Sequence, residues 1–203
     1  MSTTVIPLGG FPLYVVETEN VLTEKQKQII FNTLDFKSSI SSVCISTTDS
    51  ILDHEELSDL KTFFKKHLDI YTSEILQLES NFEITDSWTA RTPTNGSHHK
   101  HNHPNSIFSG VYYVNADAGN LVLEFDPSYT KHFRFNYKVK EYNIYNSNAW
   151  DIHIKPGLLV LFPSYLQHYT RQNSGVDNRM VVGFNSFLCD DLIGHTENIS
   201  VKF

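Results

Sequence analysis

The stretch that decides most about this chain reads His98-His-Lys-His-Asn-His-Pro-Asn-Ser-Ile-Phe-Ser-Gly-Val-Tyr-Tyr-Val-Asn115. Four of the ten histidines fall within its first six positions, and a run typical of a half-buried β-strand follows at once. Residues two apart in an extended chain point to the same side. His101 and His103 would therefore aim both imidazoles at one point, which suits chelation of a transition metal.

A third imidazole and a guanidinium stand farther along the chain. His168 ends the run Leu-Phe-Pro-Ser-Tyr-Leu-Gln-His, which follows a Pro-Gly turn and an apolar strand. Arg179 begins a second strand-like run, Arg-Met-Val-Val-Gly-Phe-Asn. A planar guanidinium binds a carboxylate through two parallel hydrogen bonds. We expect Gly183, on the same strand face as Arg179, to leave room for a ligand between that arginine and a metal held by the histidines.

These residues also have plainer interpretations. The segment 98–103 could be an exposed polar loop that binds metal only adventitiously, and Arg179 could be a surface ion-pair residue. The histidines are internal to the chain and lead directly into a predicted strand, which favours a metal site. We expect His98 and His99 to be loop residues or neighbours of the ligands.

Bulk composition indicates an ordinary globular chain. The 203 residues, 40% of them hydrophobic, suffice for one full-sized core, so we expect a single domain over 1–203. It would comprise an N-terminal strand with supporting helices (1–81), the core (82–190) and a C-terminal extension (191–203). A net charge of −7 argues against nucleic-acid binding. Two cysteines fit no disulfide framework, and no run spans a membrane, so we expect a cytoplasmic protein.

Hydrophobic patterning predicts two helices followed by many short strands. Thr23 and Gln26 form a capping box at the start of the first helix. An apolar stripe from Leu57 to Leu78 predicts a second helix over about 53–78. Short strands are predicted at 5–16, 41–47, 83–91, 107–115, 120–125, 133–145, 150–154, 158–162, 168–172 and 180–188. That density of strands is typical of a sandwich or barrel-like β-domain.

Several separated motifs carry a family resemblance. They are His-x-His-Pro-Asn-x-x-x-Ser-Gly-Val-Tyr-Tyr at 101–113, Gly-x-Leu-x-x-x-x-Asp-Pro at 119–127, Pro-Gly-x-Leu-x-x-Phe-Pro-Ser-x-x-x-His at 156–168, then Arg179 and Phe184-Asn185. In this order the region from 88 to 188 resembles the iron(II)/2-oxoglutarate-dependent dioxygenases, and is similar to prolyl hydroxylases. It looks closest to a group of such oxygenases from marine bacteria and their phages.

The resemblance implies a fold, a cofactor and a set of roles. The fold is a mainly β, double-stranded β-helix (jelly-roll or cupin-like) core with flanking α-helices. His101 and His168 are implied as ligands of Fe(II), while Arg179 and Tyr113 are implied to bind the cosubstrate 2-oxoglutarate, with O2 as the oxidant. Where most relatives carry Asp or Glu, this chain has His103, so the common triad becomes a three-histidine set. Glu124 or Asp126 remain alternatives for the acidic ligand.

The implied activity is oxidative decarboxylation of 2-oxoglutarate to succinate, coupled to hydroxylation of a small-molecule or peptide substrate. Two rival functions are a three-histidine cupin-type dioxygenase that does not use 2-oxoglutarate and a non-catalytic metal-binding module. The aromatic and basic stretch 127–150 could be a substrate-facing hairpin or an ordinary surface hairpin. The sequence leaves a homodimer open.

Overall fold

The fold is described from a computed structural model that covers residues 11–19, 22–33, 35–39, 41–116, 119–124, 138–143, 146–147, 149–175, 178–189, 192–193 and 198–199. Most of the predicted hairpin at 127–150 lies outside these residues, as do Asp126 and the first part of the predicted N-terminal strand. No helix in the described ranges is long and apolar enough to cross a membrane.

Seven strands form the larger sheet. They are β1 (Tyr14–Glu17), β2 (Phe36–Ser38), β3 (Cys44–Ser46), β4 (Phe82–Pro93), β5 (Phe108–Asn115), β8 (Leu158–Pro163) and β10 (Asn178–Leu188). Their order across the sheet is β1-β8-β5-β10-β4-β3-β2, and neighbouring strands are antiparallel. The longest strands, β4 and β10, pair at the centre, so a side chain on one has a fixed neighbour on the other.

Three strands form the smaller sheet that faces it. β6 (Asn120–Glu124) lies between β7 (Ala149–His153) and β9 (Gln167–Thr170), again antiparallel. A separate two-stranded pair joins β11 (Leu192–Ile193) to β12 (Asn198–Ile199). The two facing sheets make the double-stranded β-helix, which confirms the predicted fold.

Strand β8 shows why the larger sheet is buried on both faces. All six of its residues are buried. Leu159 and Leu161 pack into the core shared with the helices, whereas Val160 and Phe162 pack into the core between the two sheets. This alternation follows from the two-residue period of a strand. A strand covered on both sides reads as a continuous apolar run.

A helical layer covers the outer face of the larger sheet. α1 (Glu24–Gln28) carries the predicted capping box and continues into a wider turn, Ile29–Thr33. Two short 3-10 turns, Ile51–Asp53 and Glu55–Leu57, lead into α2 (Ser58–Asp69), which ends in a wider helical segment, Ile70–Ile75.

The apolar stripe of α2 packs against strand β10. Phe64 is fully buried and stacks on Phe184 with ring centroids 5.0 Å apart. The predicted extension of the stripe to Ile75 and Leu78 is wrong, because these side chains are 49% and 39% exposed. The helical segment ends at Ile75, and Gln77 adopts a left-handed backbone with φ of 55°. With this layer on the outer face, the inner face of the sheet is left for the site.

Candidate metal centre

Three imidazoles meet at one end of the space between the sheets. The extended segment before β5 pairs with β9 through two backbone hydrogen bonds, from His101 N to His168 O (3.0 Å) and from His168 N to His101 O (2.8 Å). His103 N donates to Ser164 O at 2.9 Å. One ring nitrogen from each of His101, His103 and His168 lies within 4.8 Å of the others. This geometry suits a single metal ion.

The second ring nitrogen of each histidine already has an acceptor. Nδ1 of His101 contacts His99 O at 2.8 Å, and Nδ1 of His168 contacts Leu166 O at 3.1 Å. A carbonyl can only accept, so these Nδ1 atoms carry the proton and the Nε2 atoms keep a free lone pair. Nδ1 of His103 contacts a side-chain amide oxygen at 2.7 Å, which gives the same tautomer. All three rings therefore present the form that binds metal.

Burial keeps these imidazoles neutral. Desolvation lowers the pKa of His103 to about 4, with a smaller contribution from His101. The pKa of His168 falls well below its ordinary value, chiefly from burial and then from the neighbouring His101 and His103. The pKa of His101 is also lowered by burial. Because a metal ligand must be unprotonated, these shifts favour metal binding at neutral pH.

Arg179 and Tyr113 lie side by side at the other end of the same cavity. Arg179 is 1% exposed, and its Nη2 donates to Thr170 Oγ1 at 2.8 Å and to Arg171 O at 3.2 Å. Burial lowers the pKa of Arg179 and raises that of Tyr113, while each partner opposes the other's shift. Within the described residues, Arg179 Nη1 and Tyr113 Oη are buried without a hydrogen-bond partner. The arginine is not a surface ion-pair residue.

Two glycines lie against side chains that line this cavity. A Cβ on Gly119, whose φ is +113°, would lie 2.8 Å from Arg179 Nη1. A Cβ on Gly183 would lie 2.7 Å from the indole of Trp88. Trp88 therefore packs over Gly183, which itself lines the cavity that contains Arg179 and the three histidines, and the expectation that it accommodates a ligand stays a prediction. The indole also packs edge-on against His103 with ring centroids 5.3 Å apart.

The alternative acidic ligands find no support among the described residues. Glu124 forms an ion pair with Lys100 outside the histidine cluster, and Asp126 lies outside the described residues. His99 contacts Ser41 Oγ at 3.3 Å. The ring of His98 lies 4.3 Å from that of His101 and lines the cavity that also contains Arg179.

A cavity of about 350 Å³ opens onto the histidines from the side of the β2–β3 hairpin. The inner face of the hairpin lies in line with the site, because successive strand partners form one row across the sheet. The row consists of Lys37, Ile45, Ala90, Val181 and Tyr113. The wall also includes Thr47, Asp49 and Trp88. We call this cavity the hairpin mouth. It leads from solvent to His101 and His103.

Two polar residues that sequence reasoning did not assign lie behind His103. Asn185 Oδ1 contacts His103 Nδ1 at 2.7 Å, and Ser109 Oγ contacts the same nitrogen at 2.9 Å. Asn185 in turn donates from Nδ2 to Asp86 Oδ2 at 2.7 Å. The sequence places Asn185 on the strand face of Arg179. The contact with Asp86 depends on the pairing of β10 with β4, where the two residues are direct partners.

The chain is similar to a known protein family over its central part. A family model described as "Putative 2OG-Fe(II) oxygenase" matches residues 86–185. This range contains the three clustered histidines together with Tyr113 and Arg179. No protein with a curated description matches the sequence.

Solved structures of low sequence identity share the fold. An oxidoreductase of the 2OG-Fe(II) oxygenase family from Burkholderia pseudomallei is 8% identical, with a TM-score of 0.58 over 86% of this chain and 83% of its own. A prolyl-4-hydroxylase from Pseudomonas putida is 15% identical, with a TM-score of 0.54 over 84% and 91%. HygX from Streptomyces hygroscopicus, solved with nickel, 2-oxoglutarate and hygromycin B, is 10% identical, with a TM-score of 0.57 over 86% and 82%. By its sequence match, the segment 86–185, just under half of the chain, is similar to the 2OG-Fe(II) oxygenase family.

Proposed function

We propose that His101, His103 and His168 hold the iron(II) of this oxygenase and that Arg179 and Tyr113 bind the distal carboxylate of 2-oxoglutarate. The observation that carries the proposal is one cavity with different chemistry at its two ends. Three imidazoles occupy one end, and two buried polar atoms without partners occupy the other. A dicarboxylic keto acid is a ligand that satisfies both.

The donor set fits iron(II). Imidazole nitrogen binds first-row divalent metals, and each ring is fixed in the required tautomer by its Nδ1 hydrogen bond. The residues also fit the cosubstrate. A buried donor without a partner costs about 1–3 kcal/mol, so Arg179 Nη1 and Tyr113 Oη gain most from an acceptor placed between them.

When bound here, iron(II) supplies the reduced metal at which O2 and 2-oxoglutarate react, giving succinate, carbon dioxide and one oxygen atom for a C–H bond of the substrate. The protein's own residues orient the cosubstrate and enclose it. Thr170 and the carbonyl of Arg171 hold Nη2 of the Arg179 guanidinium, while Nη1 has no partner among the described residues. The buried walls around Tyr113 exclude water, which strengthens the interaction of the Arg179 guanidinium with a carboxylate.

A three-imidazole site differs electrically from one with a carboxylate. Its ligands are neutral, so the two positive charges of iron(II) are not offset by the protein ligands. The metal then attracts the 2-oxoglutarate dianion more strongly. The unpartnered atoms of Arg179 and Tyr113 favour this activity over a cupin-type dioxygenase without 2-oxoglutarate and over a non-catalytic metal-binding module.

The hairpin mouth is the proposed entrance for the substrate. Its volume of about 350 Å³ lies within the range of small-molecule pockets, roughly 300–1,000 Å³. A small molecule or a peptide side chain would reach the metal between Thr47 and Trp88. We do not expect a nucleic-acid substrate, given the net charge of −7. The two cysteines of the sequence fit no disulfide framework, which favours a reducing, cytoplasmic location.

The experiment that tests this function compares iron content and 2-oxoglutarate conversion to succinate in three proteins. His101→Ala should lose both, because nothing replaces its nitrogen. His103→Asp should keep iron(II), since a carboxylate is a competent oxygen ligand that adds charge neutralisation. Its turnover should fall, because the shorter side chain displaces the metal. Full iron content and turnover in His101→Ala would remove the histidine cluster from the mechanism.

Substitution of Arg179 tests the cosubstrate site. Arg179→Ala should weaken 2-oxoglutarate binding by about 10- to 100-fold, since hydrogen bonds to charged groups contribute about 1.5–3 kcal/mol. Arg179→Lys should also weaken it, because a point charge does not replace the two-pronged guanidinium. Metal content should stay at the wild-type level. Arg171→Lys is the matched control, an arginine nearby that is exposed and paired with Asp151. Unchanged 2-oxoglutarate affinity in Arg179→Ala would rule the role out.

A bulky residue in the hairpin mouth tests substrate entry. Free amino acids and short peptides are screened for stimulation of 2-oxoglutarate turnover in the wild type. Thr47→Trp should abolish stimulation by any active compound while leaving turnover without substrate unchanged. Ser38→Trp, on the exposed opposite face of the hairpin, should leave both unchanged. Stimulation that survives in Thr47→Trp would place the entrance elsewhere.

Acidification should destabilise the metal-free protein through its buried histidines. Burial lowers the pKa of His98 in the folded chain to about 3, against about 6.5 when unfolded. Below pH 6.5 the imidazole of His98 is therefore protonated in the unfolded chain but stays neutral in the folded chain. The free energy of unfolding then falls as the pH is lowered, until the pH reaches about 3. His98→Gln should lose less unfolding free energy than wild type between pH 7 and pH 4.5 in urea titrations. Equal losses would show that His98 is not held neutral.

A further inference from the structure

Hydrogen bonds behind His103 form a chain with a fixed direction. His103 Nδ1 contacts Asn185 Oδ1 at 2.7 Å, and Asn185 Nδ2 contacts Asp86 Oδ2 at 2.7 Å. The other carboxylate oxygen of Asp86 accepts from Thr85 Oγ1 at 3.0 Å. Asn185 is nearly buried, with 9% of its surface exposed. The amide therefore has two opposed neighbours, an imidazole and a carboxylate.

The carboxylate decides which way this amide points. An ionised carboxylate has no proton to donate, so the amide group facing Asp86 must be the NH2. The amide oxygen is then turned towards His103. The reversed amide would place its oxygen 2.7 Å from a carboxylate oxygen with no proton between them. The orientation of the Asn185 amide therefore follows from the chemistry of its two neighbours.

The amide oxygen in turn decides which nitrogen of His103 carries the proton. An acceptor at Nδ1 requires Nδ1–H, which leaves the lone pair on Nε2. Ser109 agrees with this direction, since its hydroxyl donates to Asn185 Oδ1 at 2.7 Å and offers a lone pair to His103 Nδ1. The hydroxyl of Ser164, 2.7 Å from that of Ser109, can supply the next proton in the series.

Strand pairing holds the chain in place. Asp86 and Asn185 are direct partners across β4 and β10, and the register shifts immediately after Asn185. Such a bulge re-aims the side chains beside it. The carboxylate is thus fixed by the backbone of the two central strands.

We propose that Asp86, acting through Asn185, is a positioning residue that sets the tautomer of His103 so that its Nε2 faces the metal. This role rests on the proposed function, in which His103 is a ligand. The carboxylate here lies two hydrogen bonds behind the ligand, where it orients the ring.

The test reads the tautomer directly in the metal-free protein. Long-range proton–nitrogen NMR of the histidine rings distinguishes Nδ1–H from Nε2–H, and zinc titration gives the affinity. Wild-type His103 should be the Nδ1–H form. Asp86→Asn can present either an NH2 or an oxygen to Asn185, so the Nε2–H form should appear. Zinc affinity should fall by about 10-fold, at the low end of the effect of losing an outer hydrogen-bond partner of a metal ligand.

A charge swap separates hydrogen-bond direction from a merely structural role. In Asp86→Asn/Asn185→Asp, the new carboxylate can only accept from His103 Nδ1–H, and the new amide donates to it. The Nδ1–H form and the zinc affinity should both return. Glu83→Gln is the control, a carboxylate on the same strand that faces Lys65, and should change neither.

Three outcomes would overturn the proposal. They are a wild-type His103 in the Nε2–H form, an Asp86→Asn protein with unchanged tautomer and affinity, and a swap variant as impaired as Asp86→Asn. The first outcome is measured on the wild-type protein, so it does not depend on whether a variant folds. Failure of the proposed function looks different: His103→Ala would then bind zinc as tightly as wild type, whatever the tautomer of His103.

Discussion

Two backbone hydrogen bonds between His101 and His168, 2.8 and 3.0 Å long, hold the site together. They join an extended segment before β5 to strand β9 of the opposite sheet, and so bring two histidines 67 positions apart in the numbering into one cluster. His103 is fixed in the same way by its bond to Ser164 O. Backbone hydrogen bonds therefore fix the positions of the three histidines in both sheets. Pre-positioning of this kind limits the reorganisation that metal binding requires.

The apolar interior between the two sheets determines the properties of the polar groups buried in it, which are the Arg179 guanidinium and the imidazoles. Arg179 is almost fully buried, and part of its guanidinium has no partner among the described residues. A protein core tolerates such a group poorly unless a ligand completes it. The same low polarity lowers the pKa values of the neighbouring histidines and keeps them neutral. One environment therefore prepares both ends of the cavity, with neutral donors for a metal and a cation for a carboxylate.

The sequence predicts this arrangement where the signal is local or where a motif carries it. The capping box at Thr23, the buried face of α2 and most strands of the two sheets follow from spacing alone. The clustering of His101, His103 and His168, and of Tyr113 with Arg179, agrees with the resembled family.

What the sequence does not predict depends on register between distant strands. Strand β2 was not expected, because its three residues carry no alternating pattern, yet its hairpin lines the mouth. The packing of Trp88 over Gly183 was not expected either, and it follows from the pairing of β10 with β4, in which the two residues are direct partners. The contact of Asp86 with Asn185 arises from the same pairing across 99 positions. Such contacts are set by tertiary packing, which single-strand patterns do not encode.

We propose an arrangement in which three imidazoles, with no protein carboxylate, hold the iron beside a 2-oxoglutarate bound by Arg179. A crystal structure of the anaerobic protein with iron(II) and 2-oxoglutarate tests it most directly. We expect Nε2 of His101, His103 and His168 at about 2.0–2.2 Å from the metal, by analogy with other metal–imidazole bonds. We also expect the distal carboxylate of 2-oxoglutarate within hydrogen-bonding distance of Arg179 and Tyr113. A protein carboxylate at the metal in place of His103, or a 2-oxoglutarate that does not touch Arg179, would contradict it.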